Sequence, residues 1–281
     1  MLLQRASDAF VPGPLPARWT APCVTTPLAT RMEAGPRAVM LAGKKAAKKV
    51  AAVVNPHIEV NKKYPGLKQI NKDPAIFTID NFFDKLTFEK YMVTVLGPAG
   101  EQDGNTLCID SDSATFGGGA TASNRRSTTW FVKYARAGEL VKGALQLLPD
   151  RVLTNCEEPQ IVRYQMGDFF NWHEDALPPD EVMGEANNGG QRLATLLVYL
   201  NDVAASGGGA TAFRHLNIKV TPKQGTALLF FPAFADGQAD SRTEHAGSPA
   251  FDDKWIAQMW IHEREYQPAV PAGNSHQDLS L

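Results

Sequence analysis

Residues 163–175 read Arg163-Tyr-Gln-Met-Gly-Asp-Phe-Phe-Asn-Trp-His173-Glu-Asp175, and this stretch decides the fold. In an extended strand, side chains at i and i+2 share a face, so the His173 imidazole and the Asp175 carboxylate can approach one ion together. Alone, a His-x-Asp pair is a weak signal that recurs by chance. Further along stands His245, in His245-Ala-Gly-Ser-Pro-Ala-Phe-Asp-Asp-Lys254-Trp255. Delivered by a distant strand, it would complete a face of two histidines and one carboxylate, leaving adjacent positions open on an octahedral metal. Lys254 then opens Lys-Trp-Ile-Ala-Gln-Met-Trp-Ile-His, whose apolar and aromatic content reads as a strand. A cation inside such a strand is costly unless it meets an anion. Ligand types alone allow Fe, Mn, Co, Ni or Zn, and the three side chains could instead form a hydrogen-bonded polar cluster.

Outward from this stretch, short apolar runs separated by turn residues predict strands over 161–166, 193–200, 211–213, 218–220, 227–231 and 255–262. Upstream, residues 77–83 read as a strand leading to a turn. A helix over 86–96 is entered through Asp84, and a second over 138–148 ends at Pro149-Asp150. Residues 106–126, rich in Gly, Ser, Asp and Asn and containing Gly117-Gly-Gly119, predict a loop with short extended pieces. Many short strands after a helical lead-in point to an α+β, mainly β chain. The expected fold is a double-stranded β-helix, a cupin-like jelly roll with supporting N-terminal helices on one outer face. Such a barrel pairs strands far apart in sequence, so His245 can lie across its mouth from His173 and Asp175.

A chain of 281 residues suffices for one core of roughly 200 residues plus extensions. The expected division is a basic leader or tail over 1–55, one domain over 56–268 and a C-terminal tail over 269–281. A net charge of −2 gives no sign of nucleic-acid binding, and no stretch approaches the roughly 18 apolar residues that span a bilayer. Cys23, Cys108 and Cys156 are odd in number and far apart, so they imply no disulfide framework. The first fifty residues hold only Asp8 and Glu33 against many Arg and Lys, with abundant Ser, Thr, Ala and Pro. That composition suits an organelle transit peptide, and Ala6-Ser-Asp-Ala9-Phe10 resembles a plastid-leader cleavage context; a disordered basic tail fits equally. Plastid leaders of that kind follow a hydrophobic signal segment, and Met1–Ser7 is too short to be one, so cytoplasm and the endoplasmic reticulum lumen stay open.

From about Phe77 to His262 the chain resembles the iron- and 2-oxoglutarate-dependent dioxygenases of the prolyl 4-hydroxylase-like branch. The matching pieces come in family order: Arg126-Ser-Thr, then Arg163-Tyr164-x-x-Gly167, then Gly190-Gln-Arg192-Leu-Ala-Thr195-Leu-Leu-Val-Tyr199. Gly208-Gly-Ala210-Thr211-x-Phe213, Val220-x-Pro222-x-x-Gly225, and the His245 and Lys254-Trp255 segments follow. Ala210 departs from the pattern, standing where the family usually has Glu; that bears on substrate contacts or on hydrogen bonding around the site, not on the metal face.

The resemblance implies Fe(II) on His173, Asp175 and His245, with 2-oxoglutarate and O2 as cosubstrates and ascorbate as reductant. It assigns Lys254 to the far carboxylate of 2-oxoglutarate, Tyr199 to a hydroxyl on that carboxylate, and Tyr164 to a position facing the cosubstrate. Thr195 shares the Tyr199 face and is a further candidate for the pocket wall. Arg126, at the family's Arg-Ser/Thr-Ser position, is the candidate substrate contact. Loops over 113–126 and 176–191 are expected to fold over an extended, proline-bearing peptide. Asp175 favours hydroxylation, because related halogenases lack the carboxylate. A single Lys254 in place of paired arginines disfavours a nucleic-acid demethylase. The implied activity is therefore a procollagen-proline 4-dioxygenase-like one on a peptide or protein. Alternatives are another side chain or a small molecule as target, or a non-catalytic, cupin-like metal-binding protein. Trp172 is expected to pack rather than bind substrate. His215 and His262 read as ordinary strand or surface histidines, and His57 and His276 are given no role.

Overall fold

Alternation builds this molecule: along each long strand, successive side chains enter two different cores. A computed structural model describes residues 56–96, 106–111, 124–184, 188–269 and 274–280. The basic leader, Cys23 and the Gly117-Gly-Gly119 run lie outside the described residues, as do 185–187 in the later loop.

Twelve strands form one curled antiparallel sheet. In chain order they are β1 (Leu67–Asn71), β2 (Ile76–Ile79), β3 (Thr106–Ser111), β4 (Arg125–Val132), β5 (Gln160–Tyr164), β6 (Phe169–His173), β7 (Arg192–Tyr199), β8 (Thr211–Phe213), β9 (Ile218–Val220), β10 (Ala227–Phe230), β11 (His245–Gly247) and β12 (Lys254–His262). Their spatial order is β1-β2-β10-β7-β12-β5-β4-β6-β11-β8-β9, with β3 paired to β4. The curl occurs at β4. Its residues Thr128–Phe131 pair with β5, while Arg125 and Arg126 pair with β6. One strand thus joins a major sheet to a minor one, a mainly β arrangement in keeping with the jelly-roll expectation.

On the major sheet, parity sorts the apolar residues. Ile161, Leu196, Val198, Leu229, Ala257, Met259 and Ile261 join the core under the helices. Their neighbours Val162, Leu197, Tyr199, Leu228, Phe230 and Ile256 turn the other way, into the space between the two sheets. Each fully buried Leu, Ile or Phe contributes about 1.5–3 kcal/mol, so a one-residue slip of any central strand would exchange two cores at once.

Helix α1 (Lys85–Leu96) starts where expected: the Asp84 carboxylate accepts the Thr87 amide at 2.8 Å. Helix α2 (Gly138–Leu147) buries Leu140, Val141, Ala144 and Leu147. Gly143 is required there, because a Cβ would stand 2.4 Å from the Phe82 ring. A third helix, α3 (Pro179–Met183), is a short exposed turn in the loop after Asp175. The last described residues fold back onto the domain. Asn274 Oδ1 accepts the Tyr134 amide at 3.1 Å, and His276 Nε2 donates to the Cys156 carbonyl at 3.0 Å. His276 therefore has a structural role that its place in the tail did not suggest.

The extended pieces expected within 106–126 are the whole of β3 and the start of β4. By contrast, β6 ends at His173, so Asp175 stands in a bend just past the strand. Among the described residues, no helix is long and apolar enough to cross a membrane.

Candidate metal and anion site

The site forms where the two sheets face each other. On the minor sheet, β6 and β11 pair antiparallel with His173 directly opposite His245, and their ring centroids are 4.2 Å apart. Sequence separation is thereby converted into a cross-strand pair. Both rings are oriented by backbone. His173 Nδ1 lies 2.7 Å from the Asn171 carbonyl and His245 Nδ1 lies 3.1 Å from the Thr243 carbonyl. A carbonyl can only accept, so each Nδ1 carries the proton and each Nε2 presents a lone pair. Both Nε2 atoms face Asp175, at 3.7 Å from Oδ1 and 3.6 Å from Oδ2.

The three donor atoms lie within 4.8 Å of one another. An ion about 2.0–2.2 Å from each would sit between them, and the second ring nitrogens are already held as metal-bound histidines require. The donor set fits a ferrous ion. Burial, then the neighbouring His245, hold His173 well below the ordinary imidazole value, so the ring stays neutral. For Asp175, burial pulls upward, but the positive charge that His245 and His173 carry when protonated, with the Thr195 hydroxyl, outweighs it and keeps the carboxyl below its usual range. Thr195 Oγ1 donates to Asp175 Oδ2 at 2.7 Å. Expected as pocket wall, Thr195 does line the cleft, and it also ties the bend after β6 to the major sheet.

From the opposite wall comes Lys254, 2% exposed, directly paired with Tyr164 across β12 and β5. Its Nζ lies 4.9 Å from the Tyr164 ring centroid and 6.0 Å from that of Tyr199. Among the described residues no carboxylate pairs with it, and burial pushes the ammonium down to about 7. Gly209 makes room for its stem, since a Cβ there, at φ +65°, would lie 3.1 Å from Lys254 Cδ. An unpartnered buried cation a short way from a metal-ligand face is what an anionic, metal-chelating cosubstrate would complete. A cleft connects the two, lined among others by Tyr164, Thr211, Lys254 and the three metal-face residues.

Other assignments shift. Tyr199 stands behind the wall, its hydroxyl donating to Thr211 Oγ1 at 2.9 Å, and Thr211 is what reaches the cleft. Arg126 points outward to Asp168 at 3.3 Å with half its side chain exposed. Arg125, one residue earlier, is the buried one. It donates to Ser127 Oγ and Thr129 Oγ1 at 2.8 and 3.0 Å and lies over Phe170, which stacks on His173 at 3.5 Å. Period-two reading of Arg125-Arg-Ser127-Thr-Thr129 would have found this. The same reading from Lys254 gives Ile256, Gln258 and Trp260, all of which line the cleft. Trp172 does not pack inside: it is 43% exposed, 5.8 Å from the Arg214 guanidinium, because its strand neighbour His173 takes the inward face. His262 is buried against Glu157 at 2.8 Å, and His215 is a surface partner of Glu244 at 3.0 Å.

Comparison with known proteins agrees with this chemistry. Residues 159–262 match the 2OG-Fe(II) oxygenase superfamily. Human prolyl 4-hydroxylase subunit alpha-1 is 39% identical over 114 residues, which is 40% of this chain and 21% of the human one. Chicken prolyl 4-hydroxylase subunit alpha-2 is 34% identical over 141 residues, 49% of this chain and 26% of that protein. The chain thus spans about a fifth to a quarter of the length of these curated relatives. Among solved structures, the viral collagen prolyl hydroxylase of Paramecium Bursaria Chlorella virus-1, in its 2OG complex, superposes with a TM-score of 0.50 at 27% identity. That match covers 66% of this chain and 94% of the viral one.

Proposed function

For a chain that carries a 2OG-Fe(II) oxygenase domain with prolyl 4-hydroxylases among its homologues, we propose the hydroxylation of prolyl residues in a peptide or protein. The carrying observation is the buried Lys254 ammonium, without a carboxylate partner among the described residues, sharing a cleft with the His173–Asp175–His245 face. A ferrous ion and 2-oxoglutarate bound there supply the oxidising chemistry, with succinate and CO2 as coproducts and ascorbate as reductant. The protein's own groups bind and orient. His173 and His245 offer neutral Nε2 donors, Asp175 offers one negative charge that offsets the ion's, and Thr195 keeps that carboxylate in place. Lys254 holds the cosubstrate's far carboxylate as a compact cation. Tyr164 adds a wall beside the ammonium, its hydroxyl kept protonated by burial. Trp260 and Gln258, on the Lys254 face of β12, shape the mouth.

The test is direct. Full-length protein with Fe(II), 2-oxoglutarate, ascorbate and proline-rich peptides should add one oxygen to proline, read by mass spectrometry. Turnover of 2-oxoglutarate with unmodified peptides would keep the oxygenase and reject the prolyl substrate.

A further inference from the structure

His57 is the second described residue of the domain, far in sequence from every group above, yet it is held as tightly as any of them. Its ring lies between Phe231 and Phe234, with centroids 5.0 Å away on each side and interplanar angles of 17° and 6°. Its Nε2 stands 3.1 Å from Asp240 Oδ2, and the neighbouring Pro56 carbonyl accepts the Ala235 amide at 2.9 Å. All four of these partners belong to the connection between β10 and β11, the segment that delivers His245.

That connection is closed on itself. Asp240 N donates to the Pro232 carbonyl at 2.8 Å, and Ala233 bridges Ala239. The Asp240 carboxylate is buried and takes Arg242 Nε and Nη2 at 2.7 and 2.6 Å, while Arg242 also reaches Asp73 at 2.9 Å. Arg242 approaches from the solvent side, 42% exposed; His57 is the inward partner. Next, Thr243 N and Oγ1 both donate to the Asp240 carbonyl, at 3.0 and 2.8 Å. The Thr243 carbonyl is the group that accepts His245 Nδ1. An unbroken series of bonds therefore runs from His57 through Asp240 and Thr243 to His245.

We propose that His57 is a positioning residue of the metal centre: by fixing Asp240 it sets the turn whose Thr243 carbonyl orients His245. This rests on His245 being a metal ligand. Groups that orient a ligating histidine from behind typically carry 10–100-fold of metal affinity. The ring of His57 also fills the slot between two phenylalanines, so its loss frees the connection as well as the carboxylate.

Co(II) titration of the full-length protein, followed by visible absorption and calorimetry, tests this beside thermal melts of the metal-free form. His57→Ala should weaken Co(II) binding by about tenfold or more, and His57→Gln, which keeps a donor and a flat group, should recover most of it. Val141→Ala, a core change in α2, supplies a variant destabilised without touching the connection. Co(II) affinity of His57→Ala within about twofold of the parent would overturn the proposal, as would equal loss in Val141→Ala at the same melting temperature. If His57→Ala does not fold, Asp240→Asn, which leaves both phenylalanines in place, must show the same loss or the proposal fails. His245→Ala separates the two levels. Undiminished Co(II) binding there removes the ligand assignment itself, whereas its loss with an unaffected His57→Ala removes only the role of His57.

Discussion

Two residues make the site's chemistry measurable one at a time. Lys254 has an ordinary value of 10.5 and is pushed to about 7 by burial alone. The folded, ligand-free protein therefore holds fewer protons than the unfolded chain between those two values, and its stability rises with pH across that window. Below about 7 the buried charge is a full burden, on the order of a few kcal/mol. Lys254→Met should raise the melting temperature of the ligand-free protein at pH 6 and abolish 2-oxoglutarate binding; a lowered melting temperature would mean the ammonium has an anionic partner in the free protein. For the parent, 2-oxoglutarate affinity should be flat below pH 7 and fall about tenfold per unit above it, as the fraction of ammonium falls. Thr195 acts on the other pole. Thr195→Val removes one 2.7 Å bond to Asp175 while conserving shape. It should weaken Co(II) binding by about tenfold, with Thr195→Ser restoring it; equal affinity in all three would leave the hydroxyl a packing group.

Strands are the unit that determined what could be read in advance. β7, β10 and β12 alternate within long apolar runs, so their existence and boundaries follow from the sequence almost residue for residue. The candidate metal face was legible because His173, Asp175 and His245 stand within a series of family-like motifs in order. Lys254 was legible because a cation inside an apolar strand demands a reason. β4 was not legible as a strand, since its inward residues Arg125, Ser127 and Thr129 are polar and satisfy one another instead of forming an apolar stripe. The Asp175 bend was missed because strand geometry offers the same i, i+2 reach without it. Asp240 and His57 left no signal at all, as their pairing spans 183 residues and neither belongs to a periodic pattern. Parity on β4 yields its own test. Arg125→Ala removes a buried cation that braces Phe170 behind His173 and should cut peptide turnover severely. Arg126→Ala removes a half-exposed ion pair of about 0–1 kcal/mol and should leave turnover within about twofold. The reverse order in a steady-state assay would return the substrate contact to Arg126.

Across the whole domain, the site joins the two sheets. His173 and His245 come from β6 and β11 of the minor sheet, Thr195 and Lys254 from β7 and β12 of the major one, and Asp175 bridges them through Thr195. On the proposed reading, a metal would gather the minor-sheet donors around Asp175, and a dicarboxylate reaching from it to Lys254 would tie the far wall to the near one. That anion would also neutralise the buried Lys254 charge, so the two ligands should stabilise the fold together by more than their separate effects. Each ligand at about a hundred times its Kd adds roughly 2.7 kcal/mol. For a domain of this size that is a rise of about 5–10 °C in Tm. Thermal scans with Co(II) alone, 2-oxoglutarate alone and both should show a small shift with the second and the largest with the pair, all reversed by a chelator. In Lys254→Met the Co(II) shift should persist while the further gain from 2-oxoglutarate disappears. Additive shifts in the parent protein would mean that metal and anion occupy independent places, and that the clamp between the sheets does not form.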